Sequence, residues 1–283
     1  TIGTTTITSV VNDLGSISIV NGGAIDMGVV DVSDRPPGTR PGYAVTEGIY
    51  ARGWGGLEIT NSANGSIKVG DFSNGISSVS AGNATIVNDG TIAIGNMSTG
   101  IRSTSGDRAY GADTYVPAGD TLIINGGDII GGLTKAEAAA SPNAGAFPAF
   151  KPVEAIGIHA YALGTNRDYY GNIWHVAQAY ELYGVNSSWV GEYYPELQNL
   201  TTTIRNEGNI ALKDGGLGIY GQAVYGEMRA YNSGTITVGD GASNFEGNND
   251  LRAQGIYMNN FPLSGLANLY AKNEAGGIIV TGD

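Results

Sequence analysis

The sequence contains no cysteine, few charged residues and only two histidines. Without cysteine there is no disulfide, no thiolate metal site and no cysteine nucleophile, so the fold must depend on packing and backbone hydrogen bonds. The 14 lysines and arginines are scattered among 26 acidic residues. We therefore expect no nucleic-acid partner, because phosphate binding needs clustered positive charge. No apolar run is long enough to cross a bilayer, so no transmembrane segment is expected either.

The residues that are abundant are those of strands and turns. Of the 283 residues, 46 are glycine, and the apolar residues are mainly Ile, Val, Ala and Leu, with Thr, Asn and Ser between them. Acidic, cysteine-free chains of this composition are common on bacterial and archaeal surfaces. We therefore expect an extracellular or cell-surface location, with any export signal already removed from a chain that opens on Thr1.

One phrase recurs along the chain, and self-similarity of this kind indicates a solenoid. The phrase is an Asn, then a small residue two positions later that is usually Gly, then an alternating strand that starts with Ile. The corner asparagines of its copies are predicted to be Asn12, Asn61, Asn88, Asn125, Asn206, Asn232 and Asn273. These copies predict about seven coils.

Two further strands complete each coil. A Gly-Ile phrase follows the corner isoleucine after eight positions (67 to 75, 92 to 100 and 210 to 218). An alternating strand then runs into the next corner Asn, as in residues 84–88 and 121–125. The sequence therefore predicts one all-β domain over residues 1–283, a parallel β-helix (β-solenoid) of three-strand coils. The column is expected to be right-handed, because crossovers between parallel strands strongly prefer that hand.

The repeated residue types have physical reasons. Period-two alternation points one row of side chains inward, so that isoleucines of successive coils stack about 4.8 Å apart. Asn and Gly are expected at the corner because they accept a positive φ at least cost. An antiparallel sandwich is the alternative, but its hairpins would not repeat the same eight-residue spacing and the same corner phrase. The inward row is predicted to consist of Ile17, Ile67, Ile92, Ile129, Ile210, Ile236 and Ile278.

Insertions between the strands are where function is expected in a solenoid. Those within 131–200 are the longest, and a helix is predicted from Ile173 to Tyr183 with a second helical turn at Lys135–Ala140. The predicted insertions are residues 31–47, 102–119, 131–155, 159–200 and 240–254.

The insertion 159–200 is rich in aromatic residues. They are interpreted either as a partner-binding surface for sugars or proteins, or as the small core that a long insertion needs. Both interpretations stay open. The candidate partner-binding residues are Tyr169, Tyr170, Trp174, Tyr183, Trp189, Tyr193 and Tyr194.

No catalytic constellation emerges from the sequence. The carboxylates considered are Glu154, Asp168, Glu181 and Glu192, but no two of them occupy equivalent positions in successive coils, which is how a solenoid pairs carboxylates. The two histidines, at 159 and 175, have no acidic partner at a recognisable spacing and are interpreted as loop or packing residues. We therefore predict that the protein is not an enzyme and has no catalytic residues.

Metal and cofactor sites are not expected either. Asp214-Gly-Gly and Gly239-Asp240-Gly resemble calcium loops, but the Gly-Gly-x-Gly-x-Asp nonapeptide that binds calcium between coils is absent. These Asp-Gly pairs are interpreted as turns.

The repeat resembles those of autotransporter passenger regions and related large bacterial surface adhesins. Three segments carry the resemblance: Asn88-Asp-Gly-Thr-Ile-Ala-Ile-Gly, Asn206-Glu-Gly-Asn-Ile-Ala-Leu and Asn232-Ser-Gly-Thr-Ile-Thr-Val-Gly. The resemblance implies secretion, a cell-surface location, and adhesion or self-association. The membrane β-barrel that ends such adhesins has no counterpart in this sequence.

The ends of the solenoid suggest a partner. Solenoids normally carry caps over their unpaired strand edges, but this sequence begins in an alternating strand, Thr4–Val10, and stops after Ile278–Val280. The chain is expected to be a non-enzymatic structural or adhesive protein. It is either a segment of an adhesin or a subunit that stacks head to tail on itself as a filament, sheath or layer. Cell-surface glycans or proteins are further candidate partners, and a carbohydrate-binding or carbohydrate-active β-helix protein of lyase or hydrolase type is the alternative.

Overall fold

A computed structural model describes residues 15–28, 46–53, 55–80, 82–105, 107–108, 115–116, 119–144, 155–162, 200–223, 225–241, 253–260 and 266–282. Their strands follow one another along the chain in a fixed order, one strand for each of three sheets in turn. All pairing within these sheets is parallel, so the predicted all-β parallel solenoid is confirmed. In the described part of the chain, no helix is long and apolar enough to span a membrane.

Sheet A contains the strands that end at the corner asparagines. Its seven strands are β1 (Ile17–Asn21), β4 (Leu57–Asn61), β7 (Ala84–Asn88), β12 (Thr121–Asn125), β15 (Thr201–Asn206), β18 (Tyr225–Asn232) and β21 (Leu266–Asn273).

Sheet B follows directly after the corner. Its seven strands are β2 (Ala24–Asp26), β5 (Ser66–Lys68), β8 (Thr91–Ile94), β13 (Asp128–Gly131), β16 (Asn209–Leu212), β19 (Thr235–Val238) and β22 (Ile278–Thr281).

Sheet C contains the Gly-Ile phrases and has six strands. They are β3 (Glu47–Gly53), β6 (Asn74–Ser80), β9 (Ser98–Ser105), β14 (Ala155–Ala162), β17 (Leu217–Ala223) and β20 (Gln254–Asn260). A short antiparallel hairpin, β10 (Asp107–Arg108) with β11 (Tyr115–Val116), and helix α1 (Lys135–Ala140) lie between column strands.

The core consists of three rows of apolar side chains, one from each sheet. Because neighbouring strands are in register, each inward residue lies beside its equivalent in the next coil. The row in sheet B is Ile25, Ile67, Ile92, Ile129, Ile210, Ile236 and Ile279. The row in sheet C is Ile49, Ile76, Ile101, Ile158, Ile219 and Ile256. The row in sheet A is Ile19, Ile59, Ile86, Ile123, Ile204, Ala230 and Ala271.

The predicted inward row was correct in the five inner coils and wrong at both ends. Ile17 lies in sheet A, where it pairs with Leu57, and Ile25 takes its predicted place. At the other end Ile279 joins the row, while Ile278 pairs with Thr235 and is 52% exposed. The first described corner asparagine is Asn21, and the predicted corner Asn12 lies outside the described residues.

Two insertion boundaries also change. Strand β9 continues to Ser105 and β14 to Ala162, so Arg102 and His159 are column residues rather than the first residues of insertions. The range 131–200, predicted as inserted loops, thus contains β14, a full strand of sheet C. The helical turn predicted at Lys135–Ala140 is confirmed as α1, whereas the helix predicted from 173 to 183 lies outside the described residues.

Candidate functional site

The corner asparagines form a continuous ladder of side-chain hydrogen bonds along the column. Each Nδ2 donates to the Oδ1 of the asparagine in the next coil, at distances between 2.7 and 2.8 Å. The five inner members, from Asn61 to Asn232, have no exposed surface. The members of this asparagine ladder, in order, are Asn21, Asn61, Asn88, Asn125, Asn206, Asn232 and Asn273.

The asparagine ladder has a direction. All six bonds have the donor in the coil nearer the N-terminus and the acceptor in the following coil. At the first coil, the Oδ1 of Asn21 accepts from the backbone N–H of Gly23 at 3.3 Å, and the described residues place no asparagine beneath it. At the last coil, the Nδ2 of Asn273 donates to the carbonyl of Gly277 at 2.8 Å. One end of the ladder therefore presents an amide oxygen and the other an amide nitrogen.

This arrangement corrects the predicted reason for the corner asparagines. They do not adopt a positive φ; among the described non-glycine residues only Phe72 and Met97 do. Their side chains instead point inward and satisfy one another where water cannot reach, and each inner amide both donates and accepts, so no inner ladder amide is left without a partner. Asn is suited to this role because one planar side chain carries both a donor and an acceptor.

The corner glycines are likewise required by close approach rather than by φ. A Cβ on Gly90 would lie 2.1 Å from the carbonyl oxygen of Gly65 in the preceding coil, and one on Gly208 would lie 2.1 Å from that of Gly127. Neither glycine has a positive φ. The carbonyl row of one coil thus passes directly beneath the glycine of the next. A side chain at this position would push neighbouring coils apart.

A second corner, between sheets B and C, contains residues in the left-handed region. Phe72 (φ 56), Met97 (φ 54) and Gly215 (φ 65) each follow an Asp or Asn at equivalent places in three coils. The carboxylate of Asp71 accepts from the backbone N–H of Asn96 at 2.7 Å and from the Nδ2 of Asn143 at 2.9 Å. This buried network ties three parts of the chain together, and its polar atoms have protein partners. It is therefore a structural corner.

Helix α1 is fixed to the outside of this corner by charge. The Glu137 carboxylate accepts from the ammonium group of Lys213, with the nearer contact at 2.7 Å, and from the backbone N–H of Thr134 at 2.8 Å. These hydrogen bonds lower the pKa of Glu137 from its ordinary value of 4.5 to about 2. Asp214, predicted as a turn residue, lies in a turn and accepts from the backbone N–H of Lys135 at 2.9 Å.

The outer face of sheet C carries a row of ring side chains. His159 stacks on Tyr220 with ring centroids 4.4 Å apart, and Tyr220 stacks on Tyr257 at 5.2 Å. Arg102 lies 5.5 Å from the ring centroid of Tyr161. His159 is buried in strand β14 rather than in a loop, and its Nε2 lies 3.3 Å from the Oε1 of Gln222. The row becomes more exposed toward the last coil, where Tyr257 is 39% exposed.

Both ends of the column expose core residues. In the last coil Ile279 is 38% exposed, whereas Ile236 in the coil before it is fully buried. In the first coil Ile19 and Ile25 are only partly buried, although their equivalents Ile59 and Ile67 are completely covered. Among the described residues, no further strand pairs with the outer edge of β1, β2 or β3 at one end, or with that of β20, β21 or β22 at the other. The two ends are therefore the column's unpaired apolar and hydrogen-bonding surfaces in the described part of the chain.

The site residues predicted from the sequence lie outside the described residues. This applies to the seven aromatic residues Tyr169, Tyr170, Trp174, Tyr183, Trp189, Tyr193 and Tyr194, to the carboxylates Glu154, Asp168, Glu181 and Glu192, and to His175. The asparagine ladder and the two open ends are the features that the structure brings together instead. The signal in the sequence was the repetition of Asn, rather than Asp or Ser, at every corner.

Among the residues that the structure describes, no group of three His, Asp or Glu side chains is placed to hold a metal ion. Comparison with models of known protein families, with curated proteins and with solved structures finds no match to this chain.

Proposed function

We propose that this chain is a non-enzymatic, extracellular structural or adhesive column. In this proposal the solenoid is a stiff spacer on a cell surface, and its insertions contact other molecules. The proposal takes two forms. The column is either a segment of an adhesin of the autotransporter type or a subunit that stacks end to end on further copies.

One observation carries the proposal: the asparagine ladder and the three isoleucine-rich rows run the whole length of the column without a break. A column of this kind resists bending, because each coil is hydrogen-bonded to its neighbours through three sheets and one amide row. The buried polar atoms of the described corners are used in holding coils together. This use of its polar groups favours a mechanical role over a catalytic one.

The self-stacking form is tested by sedimentation velocity over a wide concentration range. Stacking predicts species whose mass rises with concentration in steps of one chain. A strictly monomeric protein at every concentration would leave the adhesin segment as the form of the proposal that survives.

The adhesive form is tested by binding to cell-surface glycans and proteins. It predicts saturable binding that is lost when Trp174, Trp189 and the neighbouring tyrosines are replaced by alanine. Replacing Tyr270, which lies on sheet A of the column and is exposed, is the control for a surface aromatic residue outside the insertion. Binding that survives the insertion variants would refute the assigned surface.

Carbohydrate binding is the second candidate function, and the stacked Tyr220 and Tyr257 favour it. Tyr220 and Tyr257 stack on each other, so the ring of Tyr257, which is 39% exposed at the end of this row, is the one that can pack against the apolar face of a sugar ring. The expected ligand is a glycan chain lying along sheet C. Loss of glycan affinity on Tyr257→Ala, with no loss on Tyr270→Ala over sheet A, would support this candidate, and equal loss in both variants would not.

A further inference from the structure

We propose that the outer face of sheet A binds an acidic polysaccharide, a chain of sugars that carry carboxylate or sulfate groups, at a site centred on Arg205. The site goes beyond the proposed function, because it is separate from the aromatic insertion and from the ring row on sheet C. It lies on the inner strands β15 and β18, which are paired on both sides, and extends onto β21.

Three cations lie on three successive strands of this face: Arg205 on β15, Arg229 on β18 and Lys272 on β21. They point outward, because their neighbours along the strand, such as Ile204 and Ala230, are buried in the core. The described outward residues of the four preceding strands of sheet A include no cation. On a chain with a net charge of -12, this cation stripe is the part of sheet A that attracts acidic groups.

Arg205 is the uncommitted cation of the stripe. Its guanidinium carbon lies 5.0 Å from the ring centroid of Tyr231, and in the part of the chain that the structure describes it makes no ion pair and no hydrogen bond. The other two cations each have a carboxylate partner, at Glu227 and at Glu274. Stacking on a ring uses the flat face of a guanidinium and leaves the N–H donors at its edge available. Those donors match the two oxygens of a carboxylate or sulfate group.

Tyr231 is a positioning residue for this guanidinium. Its ring packs against that of Tyr270, with centroids 5.6 Å apart, so the ring beneath Arg205 is itself supported. Because the ring restricts the guanidinium before a ligand arrives, less rotamer freedom is lost on binding. The ring therefore favours binding without contacting the acid group.

The place of Arg205 in its strand makes it accessible. Arg205 directly precedes the corner asparagine of its coil, and the connections from sheet A to sheet B have only two to four residues in all seven coils. The long insertion before β15 enters at the opposite end of the strand, at Thr201. Arg205 thus lies at the end of β15 that is farther from an insertion, and its side chain is exposed.

The kind of surface favours a polysaccharide over an acidic peptide. Peptides that bind sheets usually add a strand to a free edge, but the backbone groups of β15 and β18 are already paired with strands on both sides. A sugar chain needs no free edge. It binds through its acid groups, its hydroxyls and the apolar faces of its rings, and this face places the guanidinium of Arg205, the hydroxyl of Thr203 and the ring of Tyr231 on adjacent positions.

Arg205→Gln tests the site, with oligosaccharides of alginate, a chain of uronic acids, as the ligand in isothermal titration calorimetry. The variant should melt like the natural chain, because the side chain is exposed and contacts only the Tyr231 ring. Its affinity for the ligand should fall about tenfold or more, because charge-assisted hydrogen bonds are lost. Lys68→Gln is the matched control: it removes one exposed cation from sheet B, where Lys68 lies 3.2 Å from Asp26, and it should leave the affinity unchanged.

Two control ligands separate the acid group from the sugar. The same oligosaccharide with its carboxylates reduced to alcohols should bind far more weakly to the natural chain and should not distinguish it from Arg205→Gln. Poly-glutamate of similar length should bind more weakly than alginate, and equal binding would overturn the assignment to a polysaccharide. An uncharged glycan offers no acid group to Arg205, so Tyr270→Ala remains the control for binding over sheet C with such a ligand.

Tyr231 is tested by two further variants. Tyr231→Phe keeps the ring and should keep the affinity, whereas Tyr231→Leu removes the ring and should lower the affinity while every charge of the stripe remains. Equal affinity in both variants would overturn the positioning role. Absence of alginate binding by the natural chain, or equal losses in Arg205→Gln and Lys68→Gln, would refute the site itself. Either result would leave the proposed function standing, because its two forms are tested by sedimentation and on the insertion.

Discussion

Replacing Asn125 by leucine should remove one rung of the asparagine ladder without changing the size of the side chain much. Asn125 has no exposed surface, accepts from Asn88 at 2.7 Å and donates to Asn206 at 2.8 Å. In the variant, the Oδ1 of Asn206 loses this donor, and the Nδ2 of Asn88 retains only a long contact of 3.4 Å to the carbonyl of Asp128. Two buried polar groups thus lose partners at once.

The expected loss of stability follows from these two groups. A buried donor or acceptor left without a partner costs about 1–3 kcal/mol, so Asn125→Leu should lower the free energy of unfolding by roughly 2–6 kcal/mol. Asn273→Leu is the matched control, because Asn273 lies at the exposed end with one ladder neighbour, Asn232. The Nδ2 of Asn232 keeps contacts to the carbonyls of Gly234 and Ile278 at 3.2 and 3.3 Å. The control should therefore cost about 1 kcal/mol or less.

Urea unfolding followed by circular dichroism measures the overall loss, and hydrogen exchange with mass spectrometry locates it. Because repeat proteins can open locally, exchange should accelerate most in strands β7, β12 and β15 around the altered rung. A loss for Asn125→Leu no greater than that for Asn273→Leu would refute the argument that the buried amides stabilise the column by satisfying one another.

Three further predictions follow from individual contacts. Gly208→Ala should destabilise the column by several kcal/mol and lower its melting temperature, because the new methyl carbon would lie 2.1 Å from the carbonyl oxygen of Gly127. Gly23→Ala is the control: its methyl carbon would contact nothing within 4 Å, so this variant should melt like the natural chain. The pKa of the Glu137 carboxyl should be near 2 by NMR and should return toward 4.5 in Lys213→Ala, and an unchanged pKa in that variant would contradict the assigned cause. Because the pKa is lower in the folded state, the stabilisation from this group is present above about pH 4.5 and is lost as the pH falls toward 2. No turnover of pectin-like or other glycan substrates is expected, and turnover abolished by Glu154→Gln or Asp168→Asn would contradict the non-enzymatic proposal.

The solenoid was predictable because the repeat constrains both period and phase in the inner coils. Ile67 and Ile92 follow corners of slightly different length, yet alternation placed both in the inward row correctly. At the ends the phase was ambiguous. Residues 12–19 imitate the corner phrase one strand too early, and Ile278 and Ile279 are adjacent, so alternation alone cannot say which points inward.

The sequence revealed the corner residues but not their roles. Asn and Gly are the usual residues of tight turns, so a positive φ was the natural inference for Asn88 and Gly90. Their actual roles depend on the next coil: the amide of Asn88 meets another amide, and Gly90 lies over a carbonyl group. Such contacts between coils depend on register in three dimensions, which a single sequence expresses only as repetition.

The boundaries of sheet C were misjudged for a related reason. Arg102 and His159 appear loop-like in sequence, because polar and ring side chains interrupt the apolar alternation there. In the structure they pair with each other across β9 and β14 on the outer face of the sheet. Outward positions in a column strand do not need to be apolar, so composition alone places the end of the strand too early.

Cryo-electron microscopy of the concentrated protein tests most directly whether the column continues from one copy to the next. Seven coils about 4.8 Å apart predict filaments with an axial repeat of roughly 34 Å per chain, all subunits pointing the same way, and strands perpendicular to the filament axis. Particles that remain single columns at every concentration, or filaments in which successive subunits point in opposite directions, would contradict the self-stacking form of the proposal.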